Sequence, residues 1–409
     1  MAEAGKVLIV IGGGAAGFFC AVNAARLHPG LQVRILEKTS KLLSKVKVSG
    51  GGRCNVTHNA PAVPDLVKKY PRGQQMLKKS FYHFHTLDTV AWFAERGVTL
   101  KAEGDGRMFP VTDSSQTVID CLLEEATKYR VRIDVNTEVT ALHQLTDGRW
   151  RLDLRGDKSI EANYVCVCTG GYPQADKFNW LKELGHEIQP PVPSLFTFNM
   201  PGNPVTQLMG VSVPQAVVKV AGTKLQESGP LLITHWGMSG PVILRLSAWG
   251  ARSLHDMDYR FTAIVNWLPD YQEHTLREEW PEIRQGMAGQ KIYQKNYFAL
   301  PQRLWHFLLQ QSGVAEDTRW ADLPAKEQNR LIRNLVSMEF PVQGKTTFKE
   351  EFVTCGGIAL SQVDAQTMES RLHKGLFFAG EVMDVDGITG GFNFQHAWTS
   401  GWLVANSLG

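Results

Sequence analysis

The chain has 409 residues, of which 43% are apolar and 20% charged, a mixture that excludes a disordered, collagenous or coiled-coil protein and leaves room for two or three domains. No run approaches the roughly 18 to 20 apolar residues of a membrane span, and a glycine-rich motif from Gly12 leaves no room for a cleavable signal peptide, so a cytoplasmic protein is expected. The formal net charge of +3 conceals a segregation: between Lys38 and Ser80 ten basic residues stand against one acid, Asp65, so this window carries +9 and the rest of the chain about −6. That concentration suits a polyanion, and it suits a solvated face equally well.

From the N-terminus, Lys6 to Ile11 is a β-branched apolar run that passes through glycines into an alanine-rich stretch ending at Arg26, which predicts strand, tight turn and helix. His28-Pro29-Gly30 stops the helix, and Gln32 to Glu37 predicts a second strand, completing a βαβ unit. Helices are expected around Thr86 to Arg96 and Gln116 to Tyr129, with strands near Val131 to Asn136, Trp150 to Leu154 and Tyr164 to Cys168. Gln189-Pro-Pro-Val-Pro-Ser194 reads as a proline-rich hinge and a candidate domain boundary. Beyond it, Val211 to Val220, Leu231 to Thr234 and Phe261 to Trp267 predict a β-rich insert, followed by a polar helix-forming stretch from Pro269 to Met338 anchored by Trp280, Trp305 and Trp320. Lys374 to Glu381 then predicts a short buried strand, and Gly390 to Gly401 opens a helix. A strand and helix this late imply a return to the N-terminal sheet. The expected architecture is α/β with a discontinuous nucleotide-binding domain, residues 1–191 and 356–409, interrupted by a β-rich insert, 192–268 and 339–355, and a helical one, 269–338.

Gly12, Gly14 and Gly17 form G-x-G-x-x-G between strand and helix, with Glu37 twenty residues past the last glycine. The chemistry needs each part: a tight turn at Gly12, close approach of backbone to a pyrophosphate at Gly14, close helix packing at Gly17, and a carboxylate for ribose hydroxyls at Glu37. The far end of the chain points to FAD, because Gly380, Glu381, Asp384, Gly387, Gly390 and Gly391 gather before a helix whose N-terminus suits a flavin's pyrimidine edge or a phosphate. Thr169-Gly170-Gly171 is a third place for backbone to pass under the cofactor, and Ser49-Gly-Gly-Gly-Arg-Cys-Asn55 predicts a loop over flavin or phosphate. No second G-x-G-x-x-G follows a strand, so NADPH or NADH is expected as a transient reductant. Six cysteines without C-x-x-C pairing or metal spacing exclude a disulfide framework and a zinc site.

These residues carry a resemblance. Ser49 to Thr57, Thr234-His-Trp-Gly-Met-Ser-Gly-Pro241, Val353-Thr-Cys-Gly-Gly357, and Gly380 to Gly387 with Gly390 to Gln395 resemble the BaiN/RdsA flavoproteins over essentially the whole chain. The resemblance implies a Rossmann-type FAD domain, a β-barrel insert and a nested helical insert. No family role falls on His396 or Cys355. The expected cofactor set is Gly12, Gly14, Ala15, Ala16, Gly17, Glu37, Lys38, Lys45, Ser49, Gly50, Gly51, Arg53, Cys54, Asn55, Val139, Thr169, Gly170, Gly171, Gly380, Glu381, Asp384, Gly387, Gly391, Phe392 and Asn393.

Relatives of this kind are linked to dihydrouridine synthesis in ribosomal RNA, to reduction of bile acid intermediates and to amine oxidation, and the fold does not choose among them. Among the activities the resemblance implies, the full-length match and the basic window favour the RNA one, which would be reduction of a uridine in 23S ribosomal RNA, the chemistry of tRNA dihydrouridine synthesis performed on rRNA. Lys68, Lys69, Arg72, Lys78 and Lys79 would contact the RNA. Tyr70, Phe81, Tyr82, Phe84 and Trp92 would offer stacking faces or else core packing. The reaction needs a hydride at C6, a proton at C5 and a flipped-out base. Cys54, beside Arg53, and His235 are the candidate proton donors. A small-molecule flavin oxidoreductase, acting on an enone, a steroid or an amine, is the alternative, and a flavin-bearing sensor without turnover a third.

Overall fold

The computed structural model describes residues 5–346 and 353–409. They fall into two compact units, the first holding the chain up to Ser194 together with the C-terminal segment, the second beginning at Leu195. Among the described residues, no helix is long and apolar enough to cross a membrane.

The strands that frame the first unit are β1 Val7–Ile11, β2 Gln32–Leu36, β3 Arg132–Asp134, β4 Tyr164–Val167, β5 Ile188–Ser194, β6 Val353–Ile358 and β7 Leu376–Phe378. Its helices include α1 Ala15–Leu27, α2 Ser44–Gly52, α3 Gln74–Phe81, α4 Thr86–Ala94, α5 Ser115–Lys128 and α6 Phe392–Asn406. Five strands make an all-parallel sheet in the order β7, β4, β1, β2, β3. β1 is a continuous apolar run because helices cover both faces of such a sheet. β7 lies beside β4, which places the C-terminal segment in the N-terminal sheet. α6 packs along α1, where Gly401 removes the side chain that would strike the Ala16 carbonyl, 2.7 Å from an added Cβ.

Gln189 to Ser194 is not the hinge that its prolines suggest but most of β5, paired antiparallel with β6. Prolines are tolerated there because the ribbon has only two strands and its register skips between Gln189 and Val192, across Pro190 and Pro191. A three-stranded meander, Val139–Gln144, Trp150–Leu154 and Lys158–Ala162, contains one expected strand and two unexpected ones. The aromatics near the basic window divide. Tyr70, Phe81, Phe84 and Trp92 are core residues, at most 4% exposed, which decides for core packing over stacking at those four positions, while Tyr82 is 65% exposed.

The second unit is one antiparallel seven-stranded sheet with helices, sharing a single apolar core. The pairings among its described residues run in one open order from Met338–Gln343 to Lys345–Thr346, with no closure of the expected barrel among them. Trp280, Trp305 and Trp320 are buried in that core as expected, with ring centroids of Trp280 and Trp320 5.8 Å apart.

Candidate cofactor site

The site begins where β1 ends. Gly12 has φ +116°, its N–H donates to the Leu36 carbonyl (2.8 Å), and an added Cβ would collide with the Cys168 carbonyl, so only glycine makes this turn. Gly14 caps α1 in extended backbone, and a side chain there would project into open space, with nothing within 4 Å of its Cβ. The first turn of α1, Ala15 to Gly17, therefore offers unpaired N–H groups to an anion at an uncluttered helix terminus. Beside it a cavity of about 380 Å³ is lined by Gly12, Glu37, Lys38, Val139 and Thr169, all expected, and by Tyr172 and Trp180, which sequence reasoning missed. The Glu37 carboxylate is held in place by the N–H of Gly13 (2.9 Å) and by the N–H and hydroxyl of Thr39 (both 2.9 Å). The Lys38 ammonium stands 5.6 Å over the Tyr172 ring. This geometry fits the adenosine and pyrophosphate of FAD: a cleft of mixed polar and apolar lining with two aromatic side chains, Tyr172 and Trp180, a fixed carboxylate for ribose hydroxyls and a helix N-terminus for phosphate.

The C-terminal motif reaches the same helix, since a Cβ on Gly380 would lie 2.9 Å from the Cβ of Ala16. Glu381 gathers three segments: its Oε1 accepts from the Thr354 N–H (2.8 Å), its Oε2 accepts from Lys45 Nζ (2.5 Å), and a side chain at Gly171 would come 2.8 Å from Oε1. Gly170 lies alongside, its added Cβ 4.0 Å from Oε2. Lys45, Gly170, Gly171, Gly380 and Glu381 are thus brought together, and Thr354, part of the Val353–Gly357 string but outside the expected cofactor set, joins them. Gly391 caps α6; its N–H donates to the Asn55 side-chain oxygen (3.0 Å), while Asn393 Oδ1 accepts from the Gly387 N–H (2.8 Å). Asp384 donates its N–H to the Ile358 carbonyl, on the ribbon that carries Thr354. Ser49 to Gly51 do not form a plain loop: α2 starts as helix, leaves helical geometry at Ser49, and turns through three glycines of positive φ, 59° to 86°.

Several expected residues are engaged by other parts of the chain. Arg53 donates to Glu103 (2.6 Å), faces Asp113 (3.6 Å) and covers the Phe109 ring (4.0 Å), so its charge is already committed. Cys54 is fully buried, and burial pushes its thiol up to about 12. That reverses the expected acidity, because the neighbouring guanidinium turns away to its carboxylates. The Phe392 ring is buried, stacked on His58 at 4.6 Å. Arg72 forks onto the buried Asp386, donating from Nε (2.5 Å), which removes it from the set of RNA-facing cations. Lys68 pairs with Asp65 on the surface (2.9 Å), and Lys69, Lys78 and Lys79 are exposed. His235 is exposed at the turn joining strands Gln226–Thr234 and Gly237–Ser239 of the second unit, its ring against Trp236.

Over residues 6–407 the chain matches the family described as HI0933-like protein Rossmann domain. It is 31% identical over 409 residues to a ribosomal RNA dihydrouridine synthase of Escherichia coli (strain K12), covering 98% of this chain and 97% of that one. It is 27% identical over 409 residues to a 3-dehydro-bile acid delta(4,6)-reductase of Clostridium scindens, covering 97% and 98%. Among solved structures, the 3-ketosteroid-delta4-(5alpha)-dehydrogenase of Rhodococcus jostii RHA1 shares the fold, with a TM-score of 0.53 at 14% identity over 99% of this chain and 98% of that one. Fold and site together define an FAD-dependent oxidoreductase with a Rossmann-type cofactor domain. Within that class, the chain belongs to the HI0933-like family.

Proposed function

We propose that this protein reduces a specific uridine of 23S ribosomal RNA to dihydrouridine, with NADPH or NADH as the electron donor, in the cytoplasm. The observation that carries the reading is full-length similarity, at 31% and 29% identity, to two ribosomal RNA dihydrouridine synthases, from Escherichia coli and Haemophilus influenzae. The exposed Lys68, Lys69, Lys78 and Lys79 of the basic window add a surface suited to a phosphate backbone. When bound, reduced FAD supplies the hydride. The chain's own part is to bind and orient that cofactor: the N-terminus of α1 and Glu37 would hold its phosphate and ribose, and the Lys45–Glu381 pair ties the Thr354 and Gly170–Gly171 backbone together beside them.

A small-molecule reductase is the second reading, favoured by the bile acid reductase of Clostridium scindens. The two separate in one experiment. Mass spectrometry of digested ribosomal RNA, from cells with and without the gene, is expected to show a dihydrouridine that disappears in the deletion, returns with the wild-type gene and does not return with Gly14→Asp. Unchanged dihydrouridine in the deletion overturns the RNA reading and leaves the small-molecule one.

A further inference from the structure

α3 buries Met76, Leu77, Ser80 and Phe81. What it leaves outside falls into two rows spaced four residues apart: Gln74, Lys78 and the capping Tyr82 in one, Gln75 and Lys79 in the other. Tyr82 belongs to the first row because its backbone is still helical, at φ −69° and ψ −15°. Residues four apart are neighbours on a helix surface, about 6 Å apart along the axis. The first row therefore carries an amide, an ammonium and a ring on successive turns, with the second ammonium beside it.

The ring and the charges have no use inside the fold. Tyr82 is the most exposed of the large apolar side chains among the described residues, at 65%. Lys78 and Lys79 form no ion pair among the described residues, whereas Lys68 spends part of its charge on Asp65. An acidic peptide would engage the ammonium groups and leave the ring in water. A single-stranded nucleic acid engages both, because every base offers a π-face and every linkage a phosphate. We propose that the outer face of α3 is the docking surface for an unpaired stretch of the RNA substrate, with a base stacked on Tyr82 and phosphates on Lys78 and Lys79. The assignment rests on the RNA reading of the function.

The test uses the full FAD-loaded chain with a fluorescent single-stranded oligouridine, and with an RNA duplex of the same length, titrated at several salt concentrations. Tyr82→Ala is expected to weaken the single strand by roughly 5- to 150-fold without changing the salt slope, while Tyr82→Phe binds like the wild type. Lys78→Gln and Lys79→Gln are each expected to lower the slope of log affinity against log salt by about 0.7. Retained flavin absorbance and an unchanged unfolding midpoint show that each variant is folded. The assignment is overturned if Tyr82→Ala binds as tightly as the wild type, if Tyr82→Phe is as weak as Tyr82→Ala, if the duplex binds as well as the single strand, or if polyglutamate displaces the RNA as effectively as unlabelled oligouridine. A wild type that binds neither RNA overturns the RNA reading as well; a wild type that binds while Tyr82→Ala binds equally overturns only the role of this face.

Discussion

Asp386 is fully buried, and burial raises its carboxyl above the usual range against the pull of the Arg72 guanidinium and the Ser194 hydroxyl, which donates at 2.7 Å. Removing one side of such a pair strands a charge, so Arg72→Met is expected to cost about 3 to 5 kcal/mol in urea unfolding. Arg72→Met combined with Asp386→Leu should cost less, because no charge is left behind; a double variant as unstable as the single one would sink this account. The cysteines give a second residue-scale outcome. All six are buried, and the Cys54 thiol stays protonated at neutral pH. Intact mass after iodoacetamide treatment should therefore show no adduct on the native protein and six on the urea-unfolded chain. Rapid native alkylation at Cys54 would restore it as an acid candidate.

At the scale of the element, α1 does two jobs that separate by substitution. A side chain at Gly14 meets nothing within 4 Å, so Gly14→Asp is expected to fold with unchanged circular dichroism yet retain no flavin, its carboxylate occupying an anion site. A methyl at Gly17 would collide with the Gly12 carbonyl, so Gly17→Ala should lower the unfolding midpoint itself. Equal flavin retention by Gly14→Asp and the wild type would remove the pyrophosphate from this helix. Legibility follows the same division between local and distant causes. The turn from β1 into α1, the acid ending β2 and the buried β7 were all readable, because period, glycine spacing and strand composition act over a few residues. β5 was misread because its prolines are permitted by a partner, β6, more than 150 residues away. The partners of Arg53 and Arg72 were hidden for a like reason: the acids that pair with them, Glu103 and Asp386, lie 50 and 314 positions on. α3 escaped notice as a short helix, eight residues long, with glycine rather than a capping side chain before it.

Among its described residues the first unit carries two buried histidines, His186 and His396, each lowered by burial from an ordinary 6.5 to about 4. Nε2 of His396 meets the Gly380 carbonyl at 3.2 Å, and Nε2 of His186 meets the Ser370 hydroxyl at 3.2 Å. The sign of their effect follows from proton counting. Above 6.5 both are neutral, folded or unfolded, and titration costs nothing; between 6.5 and about 4 the unfolded chain takes up protons that the folded one refuses. Stability therefore falls as the pH falls through that window, by about 1.4 kcal/mol per pH unit for each histidine. Denaturant unfolding across the window should show this decline, and His396→Gln should remove one proton's share of the slope whatever it does to stability at neutral pH. Parallel curves for variant and wild type would show that His396 does not titrate as its burial requires.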